Sequence, residues 1–153
     1  MLGGALSWRR ADGLDFAKAL PGTTPWGTSQ FVGADLRWGL EAAWDYRRLR
    51  LRSEWIQARL SPAGQQPLGL SAGGGYVQAA YELSRRLEVA AKLERFDPDR
   101  SVANQWDLRQ TTWAATYLLH GREDRVQLAY VTAADGQGRR APDKALLQFQ
   151  RFF

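Results

Sequence analysis

Five basic side chains fall at alternating positions of strand-like segments, and they are the side chains of this sequence best suited to binding chemistry. They are Arg37, Arg50, Arg52, Lys92 and Arg125. A guanidinium group is a rigid fork of N–H donors that matches phosphate, and rings of arginine or lysine select anions in pores. The spacing therefore predicts a wet surface that binds small anions such as phosphate, without any chemical step.

A second interpretation of the same five residues stays open. Barrel interiors are polar, and carboxylates on the same faces would pair with the basic groups and form salt bridges along a wall. On that interpretation the charges stabilise the wall and select no ion. The carboxylates expected to balance the basic residues are Glu41, Glu54, Glu88 and Glu94.

The other reactive side chains give no pattern that is typical of an enzyme. The chain has no cysteine, and its one histidine, His120, is predicted to lie in a turn. The acidic pairs Glu123-Asp124 and Asp97/Asp99 lie in predicted loops without a nucleophile or a ligand set. The glycines at 73–75 lack the Lys-Ser/Thr and the helix of a phosphate loop. We therefore predict no catalytic residue, no metal and no cofactor.

Eight segments that alternate between apolar and polar residues must position the basic side chains. A strand sends alternate side chains to opposite faces, so each segment predicts a β-strand with one apolar and one polar face. Residues 80–96 alone would also fit an amphipathic helix, and the neighbouring segments decide for strands. The predicted strands begin near Leu2, Leu36, Leu49, Tyr76, Leu87, Thr111, Arg125 and Ala145.

The connections between these strands alternate in length. Long polar loops are predicted at 11–30, 61–75, 97–109 and 134–144. Short turns are predicted at Arg47-Arg48, at 84–86 and at 120–124. Strands of roughly nine to eleven residues with alternating short and long connections are typical of outer-membrane barrels. The predicted fold is thus an all-β, antiparallel transmembrane β-barrel, with residues 1–153 as a single domain and no second domain.

Aromatic residues lie where such a barrel needs them. Among 7 Trp, 5 Tyr and 6 Phe, several fall near the predicted strand ends, where they would form belts at the two membrane interfaces. Arg151 falls on the apolar side of the last strand. A lipid-facing arginine costs about 2–4 kcal/mol at mid-membrane but about 0–1 kcal/mol near an interface. We therefore predict that Arg151 lies at the rim. The predicted belt residues are Trp44, Tyr46 and Phe153 on the turn side, and Trp8, Trp38 and Trp113 on the loop side.

Several segments, in this order, resemble the phosphate-selective porins of the O and P type. They are Gly39–Trp44, Leu49–Trp55, Gly75–Leu83, Leu93–Pro98, Thr116–Leu119 and the terminal Phe153. The resemblance covers most of residues 35–153 and implies an outer-membrane barrel of sixteen strands, usually trimeric, that passes anions. It also implies that Phe153 is part of the signal read by the barrel-assembly machinery.

The sequence departs from that family in ways that shape the expectations. It has about half the strands of the family barrel, and Arg47-Arg48 replaces the turn residues Gly-Pro that the family tends to have. No leader peptide is visible at Met1, and a strand pattern begins at once, so we expect that an upstream part is missing. The eight strands would then be either a closed small barrel or the C-terminal half of a sixteen-stranded porin. Phosphate specificity is not carried over residue by residue.

Three functions follow as hypotheses. The first is an outer-membrane porin, or a segment of one, for passive diffusion of small anions such as phosphate. Its partners would be outer-membrane lipid, small anions and, as the resemblance implies, two further copies in a homotrimer. Its location would be the bacterial outer membrane. The second is a non-conducting small barrel or truncated remnant. The third is a soluble module for polyanions, which the net charge of +5 favours. Nucleic acid is not an expected partner, because the aromatic side chains face away from most strand arginines.

Overall fold

The computed structural model describes residues 1–14, 31–63, 69–100, 106–120 and 124–151. These residues form eight antiparallel β-strands in one sheet, and each strand pairs with the next one in the chain. The predicted all-β class and strand order are confirmed. No helix in the described ranges is long and apolar enough to cross a membrane. The strands are β1 (Leu2–Leu14), β2 (Phe31–Tyr46), β3 (Leu49–Pro62), β4 (Leu70–Glu82), β5 (Leu87–Asp97), β6 (Leu108–His120), β7 (Asp124–Asp135) and β8 (Lys144–Arg151).

The sheet is open. Among the described residues, β1 pairs only with β2 and β8 pairs only with β7. The outer edges of β1 and β8 therefore present backbone N–H and C=O groups to the surroundings, which a closed barrel would not do. Of the two forms considered from the sequence, the structure is not the closed small barrel.

The ladder register gives the sheet two different faces. Residues that face each other across a ladder project from the same side, so the register extends each strand's alternation across the whole sheet. One side carries large apolar side chains that remain exposed, with Leu6 and Leu147 each 76% exposed. We call it the apolar face, and the opposite side the polar face. Exposed members of the apolar face are Leu6, Trp8, Leu40, Trp44, Val77, Leu93, Trp113, Leu128, Leu147 and Phe149.

The polar face is not polar along its whole length. At the long-loop end of the first four strands, Ala11, Phe31, Leu60 and Leu70 form a small buried hydrophobic cluster. The ring of Phe31 is fully buried. The sequence predicted a polar second face on every strand. The cluster departs from that prediction because β2 begins at Phe31, five residues before the predicted start at Leu36.

The predicted short turns at Arg47-Arg48 and at 84–86 are confirmed, and the long loops were predicted too long. Tyr46 pairs with Leu49, so Arg47 and Arg48 alone connect β2 to β3. Arg47 has φ 53°, a left-handed conformation that costs an L-residue roughly 1–2 kcal/mol. Strand pairing extends into every predicted long loop. Ladder hydrogen bonds there satisfy backbone N–H and C=O groups that would bind water in a loop. Residues 15–30 and 121–123 lie outside the described part of the chain.

The glycines at 73–75 lie inside β4 rather than in a loop, which corrects the sequence interpretation. Each pairs with a residue on both neighbouring strands. A Cβ added at Gly75 would lie 2.7 Å from the Trp55 ring and 2.4 Å from the Glu54 carbonyl oxygen. A Cβ at Gly73 would lie 3.7 Å from the same ring. The missing Cβ at Gly75 therefore lets the Trp55 indole lie close over the strand, whereas a Cβ at Gly73 would make only an ordinary van der Waals contact with the ring.

Candidate anion-binding site

All five basic residues singled out in the sequence lie on the polar face, but they form separate groups along it. Arg50 and Arg52 lie on β3 near the short turns, and Arg125 is the second residue of β7 at the same end. Lys92 lies midway along β5, in the ladder row of Arg52 with Gln78 between them. Arg37 lies towards the long-loop end, in a different environment.

Three of the five line one concavity near the short turns. Arg50, Arg52 and Arg125 share this cavity of about 640 Å³ with Arg85 from the turn between β4 and β5. We call these four residues and their cavity the arginine cavity. Its other polar side chains are Gln78, Glu82, Ser84, Glu88, Thr116 and Gln127.

A row of alanines makes room for the arginine cavity. Ala80 faces Arg50 across the β3–β4 ladder, and Ala90, Ala114 and Ala129 continue the same row across β5, β6 and β7. Alanine keeps the strand continuous while projecting a single methyl group. The long side chains from neighbouring rows can therefore extend over this row, where a bulkier residue would fill the space.

Carboxylates hold two of the arginines. Arg52 donates to both oxygens of Asp45, at 2.8 and 3.0 Å. Arg50 forms an ion pair with Glu88. Both pairs are partly solvated, so water screens them and each contributes modestly to stability. Pairing of this kind also lowers the net positive charge that an entering anion meets.

Arg125 and Lys92 have other kinds of contact. Arg125 Nε donates to the amide oxygen of Gln150 at 2.8 Å, a contact that supplies no counter-charge. Lys92 Nζ lies 2.8 Å from a Glu94 oxygen and 4.5 Å from the centre of the Tyr76 ring. Gln110 donates to the other Glu94 oxygen at 3.0 Å. Lys92 is thus fixed between a carboxylate and an aromatic ring, whereas Arg125 is oriented by a neutral amide.

Arg37 belongs to a buried node that the sequence interpretation missed. The Asp35 side chain is fully buried and accepts hydrogen bonds from Arg9 at 2.8 Å and from Arg37 at 2.9 and 3.0 Å. It lies in the ladder row of Leu60, directly beside the hydrophobic cluster. We call these three residues the Asp35 node. The signal was present, since Asp35 and Arg37 are two residues apart and so share a face, but the strand was predicted to begin after Asp35.

The polar face contains ion pairs, as the salt-bridge interpretation predicted, but only two of the four expected carboxylates take part in them. Glu88 and Glu94 hold basic residues as expected. Glu41 lies directly opposite Glu54, and neither has an ion pair with a described residue. Asp35 and Asp45 replace them as partners. Periodicity identifies the face of a side chain, but only the register between strands identifies its neighbours.

Of the residues considered for other chemistry, Asp97 ends β5 and Asp124 begins β7, so neither lies in the loop predicted for it. Asp97 accepts a hydrogen bond from the Asp99 backbone N–H at 3.2 Å, which is a local turn contact. No group of three or more potential ligands in the described ranges could hold a metal ion. Glu123 and the side chain of His120 lie outside the described residues.

The predictions for Arg151 and Phe153 concern the C-terminal end of the last strand. Arg151 lies at the end of β8, opposite Asp124, and its Nε is 3.4 Å from the Asp124 carboxylate. It therefore lies at a strand end, and the ion pair gives the charge a partner; its position at the membrane rim stays a prediction. The terminal residues Phe152 and Phe153 lie outside the described part of the chain, so the assembly signal assigned to Phe153 stays a prediction.

One family model matches this chain. The family is described as phosphate-selective porin O and P, and its model matches residues 22–146. No curated protein and no solved structure gives a match. The family match covers all described strands except β1 and residues 147–151 of β8.

Proposed function

The chain belongs to the phosphate-selective porin O and P family, and from this premise we propose that it forms wall strands of an outer-membrane pore through which small anions, phosphate among them, diffuse passively. The family is one of channels rather than enzymes. The observation that carries the proposal is the two-sided sheet, with an exposed apolar face on one side and the arginine cavity on the other.

The apolar face supports a lipid contact. Exposed Leu, Val, Trp and Phe side chains extend across all eight strands, far beyond the scattered exposed residues of a soluble protein. The stacked pair Trp44 and Tyr46, whose ring centres are 5.6 Å apart, lies at the short-turn end. Rings of this kind favour the membrane interface. These features argue against the soluble polyanion module, which would have to cover the same face.

The arginine cavity supports anion preference. Four arginines border one solvent-filled space, opposed there by Glu82 and Glu88. A low-dielectric wall around such a space strengthens the attraction of the fixed charges for an incoming anion. Guanidinium forks also match phosphate oxygens in geometry. We propose Arg50, Arg52 and Arg125 as the anion-attracting side chains, and Lys92 as a weaker one held by Glu94.

The open edges support a larger barrel. Unpaired backbone groups on β1 and β8 would be costly in hydrocarbon, where no water can satisfy them. We propose that further strands, from the same protein or from a second copy, pair with both edges and close the wall. A native mass of the folded chain in detergent separates a one-copy wall from a two-copy wall.

The non-conducting wall is the second candidate, and the ion pairs favour it. Asp35, Asp45, Glu88 and Glu94 each hold a basic residue of the polar face. If these contacts neutralise the face, the chain builds a wall that selects no ion.

Planar bilayers separate the two candidates. The full chain, refolded in detergent and reconstituted, should conduct, and in a KCl gradient its reversal potential should show a preference for chloride over potassium. Added phosphate should compete with chloride and lower the current. A bilayer that stays silent although the protein has inserted would contradict the pore and leave the non-conducting wall.

A further inference from the structure

We propose that Arg95, Arg109 and Arg140 form a docking site on the apolar face for the phosphate groups of an outer-leaflet lipid. We call these residues the outer arginine row. The inference rests on the proposed function, which puts the apolar face in lipid, and on the general arrangement of outer-membrane barrels, whose long loops lie outside the cell.

The register aligns the three arginines at one height. Arg95 on β5 lies directly opposite Arg109 on β6, and Arg109 lies opposite Ala134 on β7. A bridge then joins Ala134 to Arg140. All four residues project from the apolar face, because partners across a ladder share a side. Three strand spacings separate Arg95 from Arg140, about 14 Å in total.

The row borders a single cleft. A cavity of about 640 Å³ is lined by all three arginines together with Leu93, Thr111 and Thr132 of the same face. Ala134 contributes only a methyl group between Arg109 and Arg140, which leaves space at the centre of the row. Asp143 also borders the cleft, and its carboxylate accepts a hydrogen bond from the Tyr130 hydroxyl.

The charges of the row lack a matching set of counter-charges in the described residues. Arg95 and Arg109 are like charges placed directly opposite each other, which is unfavourable. The Asp97 carboxylate lies 4.0 Å from Arg95, and the Arg95 side chain remains 57% exposed. Arg109 and Arg140 have no ion pair with any residue that the structure describes. An anion supplied from outside the chain would relieve this repulsion.

The position of the row along the strands indicates where that anion comes from. Trp113 lies four residues after Arg109 along β6, in the direction away from the long loops, and Tyr130 lies opposite Trp113. Aromatic side chains of this kind lie at the membrane interface. Four residues correspond to about 13 Å along a strand and to less when the strand is tilted. The row therefore lies at head-group height, with Leu93 and Trp113 below it to contact acyl chains.

A phosphate-bearing lipid fits this surface better than a second copy of the chain. A two-fold contact would place one arginine row against another or close to it, and like charges across an interface are costly. A lipid phosphate brings the opposite charge, and its oxygens accept paired N–H bonds from guanidinium groups. Its acyl chains cover the apolar residues of the same cleft.

The test uses the full chain folded in detergent, titrated with diphosphorylated lipid A and with the same lipid after removal of its phosphates. We expect wild type to bind lipid A, and the variant Arg95→Gln/Arg109→Gln/Arg140→Gln to bind it at least about tenfold more weakly, because hydrogen bonds to charged groups are lost. The dephosphorylated lipid should bind both proteins weakly. The matched control is Arg47→Gln/Arg48→Gln/Arg86→Gln, which removes three charges at the short turns and should bind lipid A like wild type.

Equal lipid A affinity of wild type and the row variant would overturn the proposal. So would equally effective displacement of lipid A by inorganic phosphate at the same concentration, since the ligand would then be the free anion. A changed native mass of the row variant with unchanged lipid binding would overturn it too, because the row would then be a contact between copies. Conductance separates the two proposals: anion current without lipid binding refutes the lipid site alone, whereas a chain that does not enter bilayers refutes both.

Discussion

The two ends of the polar face use the same residue type in opposite ways. At the long-loop end, Arg9 and Arg37 close on a buried carboxylate beside a hydrophobic cluster. At the short-turn end, Arg50, Arg52, Arg85 and Arg125 surround a solvent-filled cavity above a row of alanines. The difference teaches that position on the polar face does not by itself make an arginine a binding residue. The size of the neighbouring side chains and the burial of the acidic partner decide whether it stabilises the wall or faces the solvent.

Removing the ring of Phe31 should have the largest effect on this contrast. Phe31→Ala opens a cavity in the hydrophobic cluster, and loss of a fully buried ring costs about 3 kcal/mol or more. We expect the free energy of unfolding, measured with urea in detergent micelles, to fall by about that amount. Ile56→Ala is the control, since Ile56 is half exposed on the same face. Equal losses in the two variants would show that the long-loop end is not a packed cluster.

Removing the acidic centre of the Asp35 node should have the next largest effect. Asp35→Ala leaves Arg9 and Arg37 without their shared acceptor, and their side chains, each about half exposed, recover only part of their hydration. We expect a loss of about 1–3 kcal/mol in the free energy of unfolding, with little change in ion selectivity. Asp45→Ala is the matched control, because it breaks an exposed pair at the other end.

Two results would contradict this contrast between the ends of the polar face. If Asp45→Ala destabilises the protein as much as Asp35→Ala, the two ends do not differ in their dependence on ion pairs. A large shift of ion selectivity in Asp35→Ala would likewise place Arg37 with the anion-binding residues.

Releasing an arginine at the short-turn end should change selectivity more than stability. Glu88→Gln removes the carboxylate that pairs with Arg50 and leaves an amide of similar size. Because the Arg50–Glu88 pair is partly solvated, the free energy of unfolding should change by less than about 1 kcal/mol. The reversal potential in a KCl gradient should shift towards stronger chloride preference. A shift in the opposite direction would mean that Arg50 contributes to anion attraction only when Glu88 orients it.

The sequence predicted the faces of the sheet better than it predicted its contacts. Alternation assigned Arg37, Arg50, Arg52, Lys92 and Arg125 to one side, because side-chain direction in a strand depends only on position parity. It did not identify Asp45 as the partner of Arg52, because neighbours across a ladder depend on register, and a one-residue slip changes all of them. It missed Asp35 because β2 was predicted to begin after that residue.

The glycines of β4 and the start of β2 show the same limit in another form. Gly73 and Gly75 were assigned to the polar loop at 61–75, and at Gly75 the close approach of the Trp55 ring favours glycine inside the strand. Phe31 lies five residues before the predicted start of β2. The segment between them shows too few alternations of apolar and polar residues to be recognised as a strand. In both places the local sequence pattern predicted the wrong structure, because tertiary packing decides the structure there.

The central claim is that anion preference comes from the arginine cavity and not from the total positive charge of the chain. It is tested most directly by the chloride-to-potassium permeability ratio of two triple variants with the same loss of charge. Arg50→Gln/Arg52→Gln/Arg125→Gln should bring the ratio close to one or below it. Arg95→Gln/Arg109→Gln/Arg140→Gln, on the apolar face, should leave it at the wild-type value. Equal ratios in the two variants, whether both changed or both unchanged, would contradict the claim.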